Sequence, residues 1–104
     1  MKNRKNNKQD DVMGLFWIYL SDSDLNVWHL AILTAVLHLG YRQGQSCRIN
    51  VSRSRIMALS HINTLPTYYK YMKELQDFGY ITYKPSYHPG YRSEIELSTK
   101  RLSE

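Results

Sequence analysis

Three rhythms of apolar residues succeed one another along the chain. Residues 1–11 have none: they are polar and charged, which predicts a disordered basic arm. Residues 12–20, VMGLFWIYL, are apolar almost all round and fit a short helix or a strand. Helix is the favoured reading, because Met13, Phe16, Trp17 and Leu20 then share one inward face. That phase leaves Leu15, Ile18 and Tyr19 without cover. Ser21 to Asp24 make a polar turn.

Asn26 is a good N-cap for a helix running to about Leu39. Leu25, Trp28, Ile32, Val36 and Leu39 recur at spacings of three and four, and Leu30, Leu33 and Leu37 thicken the stripe. A helix so apolar belongs at the centre of a core. Gly40 and Gly44 are its expected end. Residues 46–51 alternate, with Cys47, Ile49 and Val51 on one face, and predict a short strand. Ser52 caps a brief helix, Arg53 to Ser60, with Ile56 and Leu59 inward. After a tight turn at His61–Asn63, another helix opens at Thr64 to Pro66, proline being tolerated in a first turn. Leu65, Tyr68, Met72 and Leu75 form its inward stripe, and Gly79 stops it.

Two strands close the pattern. In residues 80–84 Ile81 and Tyr83 share one face, with Tyr80 and Thr82 on the other; in residues 92–97 Ile95 and Leu97 alternate with Glu94 and Glu96. Between them Pro89-Gly90 favours a type II turn, so the pair predicts a hairpin. The order helix, strand, helix, turn, helix, strand, loop, strand is that of an α+β winged helix-turn-helix. It comprises a three-helix core and a β-hairpin wing, here with an N-terminal helical extension. The expected division is an arm at 1–11, one domain at 12–97 and a frayed tail at 98–104.

Composition adds limits. The chain has 104 residues, room for one modest core. No apolar run nears the roughly 20 residues that span a bilayer, and no small-residue cleavage site follows residues 12–20. A lone cysteine, Cys47, forbids an intrachain disulfide framework and fits a reducing cytoplasm. The net charge is +5, with a pI of about 9.4. Residues 46–92 hold Arg48, Arg53, Arg55, Lys70, Lys73, Lys84 and Arg92 against only Glu74 and Asp77. The basic surface therefore lies in the second half and in the arm, with an apolar scaffold between them.

The stretch RSRIMALSHINTLPTYYKYMKELQDFGYITYKPSY resembles the helix-turn-helix and wing of small winged-helix proteins of Bacteroidetes, often carried on mobile elements. TYYKYMKELQDFGYITYKPSY carries most of the likeness, and FWIYLSDSDLNVWHLAIL resembles the same family's N-terminal helices, so roughly residues 12–97 are covered. KELQDFGYI is similar, more distantly, to the end of the recognition helix in many bacterial winged-helix regulators. The resemblance implies DNA binding and a role in transcription or mobile-element control. Leu65-Pro66 departs from it, standing where small polar or basic residues are expected. Direct base contacts at that helix start are thereby put in question.

The residues support an interface on their own account. With Leu65, Tyr68, Met72 and Leu75 inward, the opposite face of the helix presents Pro66, Lys70, Lys73 and Asp77, flanked by Thr67, Tyr69 and Glu74. A helix-turn-helix places the start of this helix in the major groove. Thr64, Thr67, Tyr69 and Lys70 then reach base edges or nearby phosphates, and Lys73 reaches backbone. Arg53 and Arg55 open one helix while Glu74 and Asp77 come late in the next, the reverse of what helix dipoles favour. A polyanion at those helix starts accounts for that order; exposed arginines that cost little are the bland reading. Lys84, Tyr87, His88, Tyr91 and Arg92 line the wing. They suit phosphate or minor-groove contact, and equally a packing or dimer surface.

Other chemistry finds little footing. His29 and His38 lie nine apart on an apolar helix and read as packing or capping residues; His61 and His88 have no Cys or acid at metal spacing. Glu94 and Glu96 suit solvent, and no glycine loop fits phosphate. Most of the nine tyrosines fall at core or strand positions, which argues against RNA stacking. The expectation is a double-stranded DNA-binding protein of the cytoplasm and nucleoid. It needs no cofactor, metal or membrane and is not an enzyme; it acts as a transcriptional regulator or mobile-element accessory factor. A homodimer through residues 12–20 would supply two half-sites. The other class left open is a protein–protein module of a replication or partition complex.

Overall fold

The computed structural model describes residues 7–44, 48–86 and 92–98, with side chains from Gly14 onward. The described elements are α1 (Asn7–Ser21), α2 (Val27–Gln43), β1 (Ile49–Val51), α3 (Arg53–Ser60), α4 (Leu65–Phe78), β2 (Ile81–Lys84) and β3 (Ser93–Leu97). The three strands make one antiparallel sheet in the order β1-β3-β2. This α+β arrangement of four helices and a small sheet is compatible with a winged helix-turn-helix. No helix among the described residues is long and apolar enough to cross a membrane.

α1 corrects two expectations. It begins at Asn7, so residues 7–11 of the supposed disordered arm are helical. Lys and Gln, the residue types at positions 8 and 9, are good helix formers. Its phase also differs. Tyr19 is fully buried, with Leu15, Phe16 and Ile18 packed against the core, whereas Trp17 and Leu20 are 65% and 50% exposed. Residues 12–20 are apolar on nearly every side, so spacing alone does not fix the rotation of α1 and its partners decide. Tyr80 meets the Tyr19 ring edge-on at 5.1 Å, and the Tyr19 hydroxyl donates to the Ser98 carbonyl at 3.5 Å. Neither Trp17 nor Leu20 could bring a hydroxyl to that place.

α2 is the buried centre. The Asn26 side chain accepts from the Trp28 and His29 amides, and His29 returns the bond to the Asn26 amide, closing a capping box. Ile32, Leu33, Val36 and Leu39 are buried as the stripe predicted, but Trp28 is 40% exposed. Its indole lies flat against Tyr71 at 6.2 Å instead of entering the core. Gly40 does not end the helix. One interior glycine costs about 1 kcal/mol, and α2 runs on to Gln43, where Gly44 at φ 70° supplies the left-handed cap. The Gln43 amide then donates to the Asn50 carbonyl and accepts from the Asn50 amide, tying the helix end to β1.

β1 is shorter than expected. It begins at Ile49, after Arg48 at φ 59°, and residues 45–47, Cys47 among them, lie outside the described residues. α3 is capped by Ser52, whose hydroxyl accepts from the Arg55 amide. Ile56 turns inward, but Leu59 is 40% exposed. The position one turn after Ile56 is Ser60, buried because its hydroxyl donates to the Ile56 carbonyl at 2.7 Å. In α4 Tyr68, Met72 and Leu75 are buried, while Leu65 is 43% exposed, one turn too early to reach the core.

The hairpin strands hold their expected faces, with one correction. Ile81 lies opposite Leu97 and Tyr83 opposite Ile95, which also faces Ile49 from the other side. Tyr80, expected on the outer face, precedes β2 and is fully buried, its hydroxyl donating to the Asp22 carboxylate. Ser98 is not frayed: its amide donates to the Tyr80 carbonyl at 2.9 Å. The Pro89-Gly90 turn lies outside the described residues, as do residues 99–104.

Because Met72 and Leu75 are 4% and 0% exposed, truncating either to alanine is expected to cost about 2–5 kcal/mol. Urea unfolding would check this; a loss below about 1 kcal/mol at both positions would contradict the described α4 packing.

Candidate nucleic-acid interface

The candidate residues sit on the α3–turn–α4 unit and on the two strands that follow. The turn is set by His61, left-handed at φ 62°, whose amide returns to the Ala58 carbonyl. Ile62 drops into the core and anchors the turn from below, its amide donating to the Met57 carbonyl. Thr64 then starts α4 without capping it through its side chain; its hydroxyl donates to that of Thr67 at 2.9 Å. α4 thus begins with amides that its N-cap side chain leaves to other partners.

The structure brings some candidates together and parts others. Arg53 reaches across from α3 and donates to the Tyr69 hydroxyl at 2.7 Å, both groups being exposed. Residues two apart on a helix point about 200° apart, and Arg55 turns the other way, into a groove between α3 and α2. On α4 the Lys70 ammonium lies 3.3 Å from a Glu74 oxygen and 4.9 Å from the centre of the Tyr71 ring. Lys73 pairs with Asp77 at 3.0 Å. Lys84, on β2, lies 3.9 Å from Glu96 on β3. Arg92 is exposed just before β3, and His88, Tyr87 and Tyr91 lie outside the described residues. Tyr68, beneath this face, is a neutral core group: burial, reinforced by Tyr83, pushes its hydroxyl up to about 12.

The late acids of α4 require a correction. Their position does not call for an external polyanion, because each has a partner inside the protein. Asp77 holds Lys73, and Glu74 holds both Lys70 and His29. What remains unexplained by folding is the basic start of α3, where Arg53 and Arg55 occupy the first turn.

The His29–Glu74 bond was not foreseen. His29 is 3% exposed, and its Nδ1 accepts the Asn26 amide at 2.9 Å. That bond assigns the proton to Nε2, which donates to Glu74 Oε1 at 2.7 Å. The ring packs edge-on to Tyr71 at 5.0 Å and against Phe78 at 5.5 Å. The spacing Asn26-x-x-His29 was the legible half, since a residue at N3 that can accept a bond completes a capping box. Glu74, 45 residues away, carried no sequence signal.

Among the described residues no cluster of His, Cys, Asp or Glu could hold a metal. Compared with known protein families, curated proteins and solved structures, the chain matches none.

The His29 bond, aided by Lys70, holds the Glu74 carboxyl below its ordinary value of 4.5. A depressed folded value means stability that is present above the ordinary value and lost as pH falls through the folded one. Glu74→Gln should therefore be less stable than the parent near neutrality, and the gap should narrow as pH falls below about 4.5. Urea melts at about pH 7 and about pH 3 measure both gaps; a gap that is constant with pH would refute the coupling.

Proposed function

We propose that the chain is a winged helix-turn-helix that binds double-stranded DNA, with α4 entering the major groove and the β2–β3 hairpin serving as the wing. The observation that carries this is the exposed face where α3 meets α4. There Arg53 bonds Tyr69, and Lys70 and Lys73 stand on the outward side of α4; the Lys73–Asp77 pair is well exposed and a phosphate can replace it, while Glu74 and the Tyr71 ring hold Lys70 oriented. The short turn between α3 and α4, and the packing of both helices on α2, support the same reading. So does the absence of acids from the first turns of α3 and α4. A part in transcription or mobile-element control follows from the family resemblance.

Four or five cations on phosphates would give a slope of log K against log salt of about −3 to −5 per protomer. Titration of random duplex at several salt concentrations measures it. Lys70→Ala and Lys73→Ala should each weaken binding without unfolding the chain. A flat salt dependence, or two variants with parental affinity, would reject the reading and favour a protein–protein module.

We further propose a homodimer through α1. Its expected basis changes, since Leu15, Ile18 and Tyr19 pack within the chain. Trp17 and Leu20 are instead the exposed apolar pair, three residues apart on one face. Sedimentation equilibrium at micromolar concentration should give a dimer, and Trp17→Asp a folded monomer. A parental monomer would remove the proposal.

A further inference from the structure

Between α2 and α3 runs a groove of about 450 Å³, lined by His38, Leu39, Arg42, Gln43 and, from α3, Arg55, Ala58 and Leu59. Its size falls in the range of small-ligand sites. Its chemistry is two-sided. Arg42 and Arg55 both line it, no carboxylate does, and neither arginine has an ion pair among the described residues. The apolar surface comes from Ala58 and from Leu59, which α3 leaves 40% exposed at this place, over the edge of the buried Leu39. Gln43 is a fixed wall, because both ends of its amide are engaged with Asn50.

The dipole of α2 accounts for Arg42, in that helix's last turn, but folding gives no reason for Arg55 beside it. Arg55 sits in the first turn of α3, where a cation opposes the helix dipole, and it shares a cleft with a second cation. We propose that the groove binds a small amphipathic carboxylate, a single anionic group on a ring or short hydrocarbon. Guanidinium groups match a carboxylate through paired N–H donors, and the hydrocarbon covers Ala58 and Leu59. A backbone phosphate of bound DNA would satisfy the arginines but would leave the apolar half uncovered. The site lies on the flank of α3 away from the Arg53–Tyr69 contact, so it does not depend on the duplex reading.

The test is an amide-resolved NMR titration of the full chain with 1-naphthoate, and with uncharged 1-naphthamide as control. Naphthoate should shift the amides of residues 38–43 and 55–59 and saturate. The Arg42→Gln and Arg55→Gln variants, both changed at exposed positions, should each weaken it about tenfold or more. Their own spectra report whether they remain folded. Binding should persist when random duplex is present. The proposal fails if naphthoate gives no saturable shift there, if naphthamide binds as well, or if both variants keep parental affinity. It fails also if duplex occupies the same amides and excludes naphthoate, which would mark a phosphate contact.

Discussion

A neutral imidazole, bonded at both nitrogens, pins α4 to the beginning of α2. A buried histidine with one unmet nitrogen would cost on the order of 1–3 kcal/mol. His29 avoids that cost by accepting the Asn26 amide and donating to Glu74. The first bond closes the cap of the central helix; the second fixes the rotation of α4. Tyr71 and Phe78 pack around the ring, Trp28 covers Tyr71, and Lys70 rests over Tyr71 while holding the other Glu74 oxygen. The outward face of α4 is therefore set by a polar bond on its flank as well as by Met72 and Leu75 beneath it.

A second polar junction stands close by in sequence, since Asp22 precedes Asn26 by four residues and Tyr80 follows Phe78 by two. Tyr19 from α1, Tyr80 before β2, Asp22 in the turn after α1 and Ser98 after β3 meet there. Two tyrosines bury their rings in a shared edge-on contact while each hydroxyl finds an oxygen, which makes the burial tolerable. Burial, together with the neighbouring Tyr80, raises the Tyr19 hydroxyl far above its ordinary range, so it stays a donor throughout. The junction joins α1 to the chain end of the sheet and explains why α1 presents Tyr19 and leaves Trp17 outside.

What the sequence disclosed follows from how local each signal is. Asn26, Ser52 and Gly79 mark helix ends through bonds to amides and carbonyls a few residues away, and those ends stand where expected. The stripe Tyr68-Met72-Leu75 was legible because polar residues surround it. In α1 residues 12–20 are apolar on nearly every side, so the inward face chosen from spacing was not the one the structure uses, and Tyr80 and Ser98 set it. Leu59 and Leu65 misled because they lie at the edge of short stripes, where a neighbouring turn can supply the buried position. At the candidate interface the residue types were legible, but their company was not. Arg53 meets Tyr69 across the turn and Arg55 does not, a parting decided by the rotation of α3 against α2.

The two lysines of α4 illustrate how folding shapes the face proposed to meet DNA. Each is followed four residues later by an acid, an order less favourable for helix stability than acid before base. Asp77 and Lys73 are both well exposed, so their bond is open to solvent, salt and competing anions. Glu74 differs, because His29 holds one of its oxygens from the core side and it cannot swing away with its lysine. Lys70 is thus steered by a carboxylate fixed in place and by the Tyr71 ring beside it. A phosphate approaching α4 would meet one lysine already oriented and one freed at little cost. Losing Glu74 would remove a negative charge from this face, but it would also remove what orients Lys70 and what links α4 to the cap of α2. The acid on the basic face is there for the fold, and its tether to His29 keeps it at the flank.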